Sequence, residues 1–410
     1  MKKIILILIS FFPGILFSQW ITQSSGTSEN LRTVFFVNSQ TGFAAGENGK
    51  MLRTSSGGIN WSNVSTGINQ NINSIYFFNA DSGVVCADAG VIIFTENSGA
   101  SWNTAAIGVT DNLRAVSFVN SRGVCSGSGG TLLYSTNSGR DWTVAENGFL
   151  VTYYGADMYS ETTAYTVGVN TIFQPFVAKT TNGGMNWSFS NFYLNGNEGN
   201  LSDIEFITES IGFTSSRVFD GQGGISKTTD GGENWTTQLF PQQLHSIDFA
   251  GSNTGFCAGE NGLILKTTDA GLTWANQNGG ASTLRSVFLT DSITGYAAGD
   301  NGTILKTTNG GLSAIGNPEE IVPVKFSLYQ NYPNPFNPVT KIEFYLAGAE
   351  YISLDVYSSA GKKVAELVNG KMNSGYHSVT FDGSDLSSGI YFYRLASERF
   401  TQNRKMILLR

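Results

Sequence analysis

The 410-residue chain is short of the side chains that most often do chemistry. Its two histidines, His245 and His377, lie too far apart in sequence to build a zinc-type cluster. Its three cysteines, Cys86, Cys125 and Cys257, are too few for a disulfide framework, and each sits inside an apolar run, as small core residues do. Only 13% of the residues are charged and the formal net charge is −7. A nucleic-acid binder needs a basic face that releases phosphate counterions, so nucleic acid is excluded as a partner. No metal or other cofactor is implied. Long apolar runs are also missing. Residues 1–18, "MKKIILILISFFPGILFS", carry two lysines and an apolar stretch that Pro13 and Gly14 interrupt before it could span a bilayer. That pattern predicts a secretory signal peptide and an exported mature chain.

What is abundant is glycine, with 49 residues, together with phenylalanine and tyrosine, and they recur in a repeat. The segments "RTSSGGINW" at 53, "FTENSGASW" at 94, "YSTNSGRDW" at 134, "KTTNGGMNW" at 179, "KTTDGGENW" at 227, "KTTDAGLTW" at 266 and "KTTNGGLSA" at 306 are copies of one motif. Trp61, Trp102, Trp142, Trp187, Trp235 and Trp274 follow one another at 39 to 48 residues, the length of a four-stranded propeller blade. Alternating apolar pairs such as Val34 and Phe36, Ile75 and Phe77, or Ile247 and Phe249 predict strands with one buried face. The seventh copy has Ala314 where tryptophan is due, and Trp20 stands 41 residues before Trp61. The expectation is an all-β fold: a seven-bladed β-propeller over residues 19–314, with the N-terminal strand completing the last blade and removing a sheet edge.

The motif resembles the Asp-box, SxDxGxTW, which sits on the hairpin between the third and fourth strands of blades in BNR-repeat proteins. In this role the hydroxyl residues Thr54, Thr95, Ser135, Thr180, Thr228, Thr267 and Thr307, with the Asp or Asn two positions on, bond to turn backbone while glycine takes positive φ. Over residues 19–314 the whole unit resembles the photosystem II assembly and stability factor propellers. That resemblance implies a seven-bladed fold and protein binding. Sialidases are Asp-box propellers as well, and resemblance to them implies an alternative, a glycoside hydrolase with an arginine triad and a tyrosine nucleophile.

Candidate ligand-binding residues come from one repeat column and from two insertions. The column runs Arg32, Asn73, Arg114, Tyr154, Ser202, His245, Arg285. Strand pairing predicts in-blade polar partners: Glu47 for Arg32, Asp88 for Asn73, Glu260 for His245 and Asp300 for Arg285. The two longest Trp spacings place extra residues, among them Phe173, Phe176, Tyr193, Arg217 and Phe219, in loops near Tyr153 and Tyr154, opposite the Asp-boxes. Aromatics with a mixed charge rim suit a protein or glycan partner. No catalytic residue is assigned.

Composition changes after Leu312, where "SAIGNPEEIVP" reads as a linker, placed at residues 315–323. Short alternating strands follow in residues 324–410 and predict a small Ig-like β-sandwich. The phrases "YPNPFNP", "ISLDVYSSAGKKV", "LSSGIYFYRL" and the basic, apolar end Lys405–Arg410 resemble the type A sorting domain of the type IX secretion system. This resemblance implies that the secretion machinery is a partner, and that the protein leaves through the periplasm to the outer-membrane surface or beyond.

Overall fold

The computed structural model describes residues 20–409 apart from 146–149, 193, 195–197, 312–326, 329–330, 332–333, 347–348, 374 and 398–399. The expected signal peptide and linker, and Tyr193, lie outside the described residues. The chain divides into two compact units, with the boundary between Ala314 and Ile315.

The larger unit holds seven four-stranded antiparallel sheets. The first is a meander of Leu31–Phe36, Gly42–Gly46, Met51–Thr54 and Ser62–Val64. Second strands such as Gly42–Gly46 and Gly83–Ala87 are buried throughout, whereas outer strands such as Ser62–Val64 are mostly exposed. The first strand of each sheet packs beside the first strand of the next, and that of the seventh, Leu284–Leu289, packs beside Leu31–Phe36. The outer strand of the seventh sheet is Ile21–Gln23, which pairs antiparallel with Ile304–Thr307 through Ile21 to Lys306 and Gln23 to Ile304. Trp20, just before it, is buried and meets Phe256 edge-on at 5.4 Å between ring centroids.

Aromatic residues fasten neighbouring sheets. Tyr165 in the fourth sheet stacks on Phe206 in the fifth at 3.6 Å, and the Asp-box tryptophan of the fifth, Trp235, meets Phe206 edge-on at 6.1 Å. The same arrangement joins Phe213, Phe249 and Trp274, and Phe43, Phe77 and Trp102. Between the seventh sheet and the first it joins Tyr296, Phe36 and Trp61. The lysine that opens four of the motifs lies over the same ring and donates to a carbonyl in the next Asp-box. Lys179 bonds Gly231 O at 3.1 Å, Lys227 bonds Ala270 O at 2.6 Å, Lys266 bonds Gly310 O at 2.5 Å and Lys306 bonds Gly57 O at 2.6 Å. Each contact is a cation over an aromatic face as well as a hydrogen bond.

The Asp-box turns are internally satisfied. Thr228 Oγ1 donates to Asp230 Oδ1 at 2.8 Å and accepts from Gly232 N at 3.0 Å, while Asp230 Oδ1 accepts from Asn234 N at 2.9 Å. Trp235 Nε1 donates to Gly232 O, which fixes the indole against Phe206. Asn182 repeats the geometry with a neutral oxygen, accepting from Asn186 N at 3.0 Å. The turn therefore needs the oxygen and not the charge. Gly231 and Gly232, at φ +75° and +94°, occupy the left-handed region that a Cβ disfavours.

In the smaller unit, one antiparallel sheet contains Ser327–Leu328, Val339–Leu346 and Gly375–Asp382. A second orders Lys363–Met372, Glu350–Ser358, Gly389–Ala396 and Thr401–Leu408. The two share a core that includes Phe336, Phe344, Leu354, Tyr393 and Met406.

Trp20→Ala should destabilise the larger unit by about 3 to 5 kcal/mol, as large aromatic truncations in cores do. Thermal denaturation checks this, and an unchanged midpoint would show that the N-terminal strand contributes nothing to the seventh sheet.

Candidate binding site at the bulged ends of the inner strands

In all seven sheets the pairing of the first two strands slips by one residue at the same place. The extra residue is Arg32, Asn73, Arg114, Tyr154, Ser202, His245 or Arg285. The repeat column is thus a ring of β-bulges, and a bulge re-aims the side chain of its unpaired residue. The re-aimed chains reach toward the following sheet. Arg32 Nη2 donates to Glu47 Oε1 at 2.9 Å and Nη1 to Asn73 Oδ1 at 2.6 Å. Asn73 Nδ2 donates to Asp88 Oδ1 and to Leu113 O. Arg285 grips Asp300 with Nε at 2.5 Å and Nη2 at 3.1 Å. Three of the four expected pairs are present. His245 departs from the expectation: no bond to Glu260 is present among the described residues, and the carboxylate whose field reaches it is Asp300 of the next sheet. Its Nε2 is enclosed without a hydrogen-bond partner.

Arg114 and Arg217 differ from Arg32 and Arg285. The turn facing Arg114 has Ser128 where the first sheet has Glu47 and the seventh Asp300. Among the described residues neither Arg114 nor Arg217 has a carboxylate partner, and the Nε of each is buried without an acceptor. Both guanidinium groups flank Tyr154, at 5.8 Å and 5.0 Å from its ring centre. Burial pulls Arg217 below its usual range; Tyr154 opposes this, while Arg114 and Arg285 add to it. Burial and then the same cationic field of Arg217 and Arg285 push His245 down to about 3, which keeps its imidazole neutral.

Tyr154 also lines a groove of about 380 Å³ whose walls include Leu150, Val151, Val169, Asn170 and Phe173. Asn170 Oδ1 accepts from Ile172 N and Gln174 N and holds the loop in shape. Phe173 sits at φ +60°, sparsely populated for a non-glycine residue. Its ring is 56% exposed and meets Phe219, 54% exposed, edge-on at 5.5 Å across the fourth and fifth sheets. Ile172 and Leu150 are exposed beside them. Two expected members are corrected. Tyr153 and Phe176 are core residues in contact with one another, because the strand Pro175–Thr180 begins before Phe176 and turns it inward. Leu150 and Ile172 were not anticipated; their signal is an apolar residue on either flank of the inserted loop.

Comparison with known proteins places this geometry. Among solved structures, YCF48 bound to D1 peptide has a TM-score of 0.59 at 16% identity, covering 73% of this chain and 99% of that one. YCF48 from Cyanidioschyzon merolae gives 0.57 at 16%, covering 70% and 98%. The WD40 β-propeller domain of Doa1 gives 0.56 at 12%, covering 71% and 97%. The larger unit has a β-propeller fold. Residues 56–188 match the photosynthesis system II assembly factor YCF48 family, and residues 330–409 match the secretion system C-terminal sorting domain. That sorting domain directs export by type IX secretion to the cell surface or outside. No curated protein matches the sequence.

The buried, neutral His245 makes stability depend on pH. Below pH ~6.5 the unfolded chain binds a proton on this histidine that the folded chain refuses, so stability is lost as pH falls. Relative to His245→Gln, the natural chain should lose about 1 kcal/mol per pH unit between pH 6 and 4. Denaturant unfolding of both proteins measures this; a pH-independent difference would place the imidazole in contact with solvent.

Proposed function

We propose that residues 19–314 form a closed seven-bladed ring and act as a non-catalytic binding module at the cell surface. Residues 1–18 are its export signal, 315–323 a linker, and 324–410 an Ig-like sorting sandwich read by the secretion machinery. The partner is a protein segment that docks at the end of the ring opposite the Asp-boxes. One observation carries this reading: Arg114 and Arg217 flank Tyr154 without a carboxylate of their own, at the inner end of a groove whose rim is the exposed Phe173–Phe219 pair. A desolvated guanidinium pair attracts a carboxylate, and the rim offers apolar area to the side chain next to it. The peptide held by the YCF48 structure supports a peptide partner for a propeller of this kind. The sialidase alternative is weakened, because Arg32 and Arg285 already hold Glu47 and Asp300 and are not available to a substrate carboxylate.

Fluorescence anisotropy with labelled peptides ending in a free phenylalanine carboxylate tests the reading. Binding should weaken at least about tenfold, or 1.4 kcal/mol, on amidation of the terminus, in Arg114→Gln/Arg217→Gln, and in Phe173→Ala/Phe219→Ala. Equal binding by all forms removes the site, and binding confined to a glycan array moves the partner to the sugar class.

A further inference from the structure

Two cysteines that the binding site does not use meet across the interface between the second and third sheets. Cys86 lies on the second strand of the second sheet, Gly83–Ala87, directly opposite Ser74. Cys125 lies on the second strand of the third sheet, Arg122–Gly127, directly opposite Val116. Opposed residues of an antiparallel pair share a face, so Cys86 points the way Ser74 points and Cys125 the way Val116 points. Ser74 Oγ accepts from Val116 N at 3.3 Å, which turns the Ser74–Cys86 pair toward the third sheet and sets it level with the Val116–Cys125 pair. Val116 belongs to one core cluster with Val84, Cys86 and Cys125, and both cysteines are wholly buried. The two thiols are near enough to act on one another: burial, and then the Cys86 thiol, pushes Cys125 up. Both are free in the structure.

The repeat shows what this slot holds elsewhere. The same bond from a first-strand N–H to the preceding sheet marks it at three other interfaces: Val34 N to Ser286 Oγ, Val287 N to Ser246 Oγ and Ile247 N to Asp203 Oδ2. The residues opposite those partners are Ala44 and Ala298, Ala297 and Ala258, and Cys257 and Ser215, all of them fully buried. Buried alanines that face one another leave no more than van der Waals contact between their Cβ atoms, about 4 Å. A disulfide spans the same Cβ separation. The slot is therefore narrow enough for a bridge, and of the chain's three cysteines only Cys86 and Cys125 share one. Alanine fills it elsewhere, so packing alone calls for sulfur on neither side. A thiol buried this deeply is a poor nucleophile, which places any bridging before the two sheets close. The sorting domain takes the chain out of the cytoplasm, into compartments where disulfides form and persist.

We propose that Cys86 and Cys125 are oxidised to a disulfide that fastens the second sheet to the third and leaves Cys257 as the single free thiol. The bridge is separate from the groove at Tyr154 and stands or falls independently of it. The oxidant is an external disulfide, carried by a small molecule or a protein. The Cys125 thiolate attacks one of its sulfurs and expels a thiolate; Cys86 then attacks the Cys125 sulfur of the mixed disulfide and expels the second. Two thiols of the chain lose two electrons and two protons, and the external disulfide becomes two thiols. The test refolds the full chain at pH 8 with oxidised and reduced glutathione, unfolds it in guanidinium, alkylates it with iodoacetamide and maps tryptic peptides by mass spectrometry. One alkylated cysteine, Cys257, and a link between peptides 54–114 and 123–140 are expected, against three alkylated cysteines after refolding with a reductant. The oxidised chain should melt about 5 °C above the reduced one. That difference should vanish in Cys86→Ala/Cys125→Ala, which gives this slot the alanine pair that Ala258 and Ala297 form elsewhere, and persist in Cys257→Ala. Three alkylated cysteines after refolding with glutathione, links spread over all three pairings, or equal midpoints for the oxidised and reduced chains would each overturn the proposal.

Discussion

The stack between neighbouring sheets is the contact on which the rest of the propeller depends. At four of the seven interfaces a second-strand ring of one sheet lies flat on a first-strand phenylalanine of the next, which an Asp-box tryptophan meets edge-on, and in three of these a lysine lies over the second-strand ring. Each sheet alone is a narrow meander with two apolar faces and could not exclude water from either. Stacking buries both at once, and because the same unit joins the seventh sheet to the first, the last interface closes with the chemistry of the others. The Asp-box is a tie that sets the tryptophan, and its carbonyl is the acceptor for the preceding lysine.

The bulges are the second constraint. Placing an unpaired residue at one level in every first strand gives the molecule a ring of seven re-aimed side chains without disturbing the stacks below. Where the adjoining turn keeps its acid, as at Glu47 and Asp300, the ring residue is held internally. Where the turn has Ser128 instead, Arg114 has no carboxylate partner among the described residues and lies over the Tyr154 ring.

Much of this was legible in the sequence because it recurs. The tryptophans mark each unit, the missing one at Ala314 points to Trp20, and the sorting phrases at the C-terminus are specific. The bulges were not legible. A slip in pairing leaves no trace in one strand's composition, so the column was visible while its bulged geometry was not. Phe176 failed because it belongs to the strand Pro175–Thr180, paired with Gly168 on one side and Asn191 on the other, and not to the loop. Cys86 and Cys125 were legible as core residues and not as a pair; only the register that brings Ser74 to Val116 across two sheets shows that they face one another.

The pairing of Ile21–Gln23 with Ile304–Thr307 also sets an order of events. The first described strand of the larger unit waits for a partner that is the last strand of that unit, and the sheets between must take their places before the two can meet. Such a distant pairing is slow to form and sensitive to any pause in chain delivery. For a protein that leaves the cell by a route addressed from its C-terminal end, this means that the partner of the first strand is made before the export label is complete. A chain cut before Ile304 lacks both, so copies truncated there carry an unpaired sheet edge and no address.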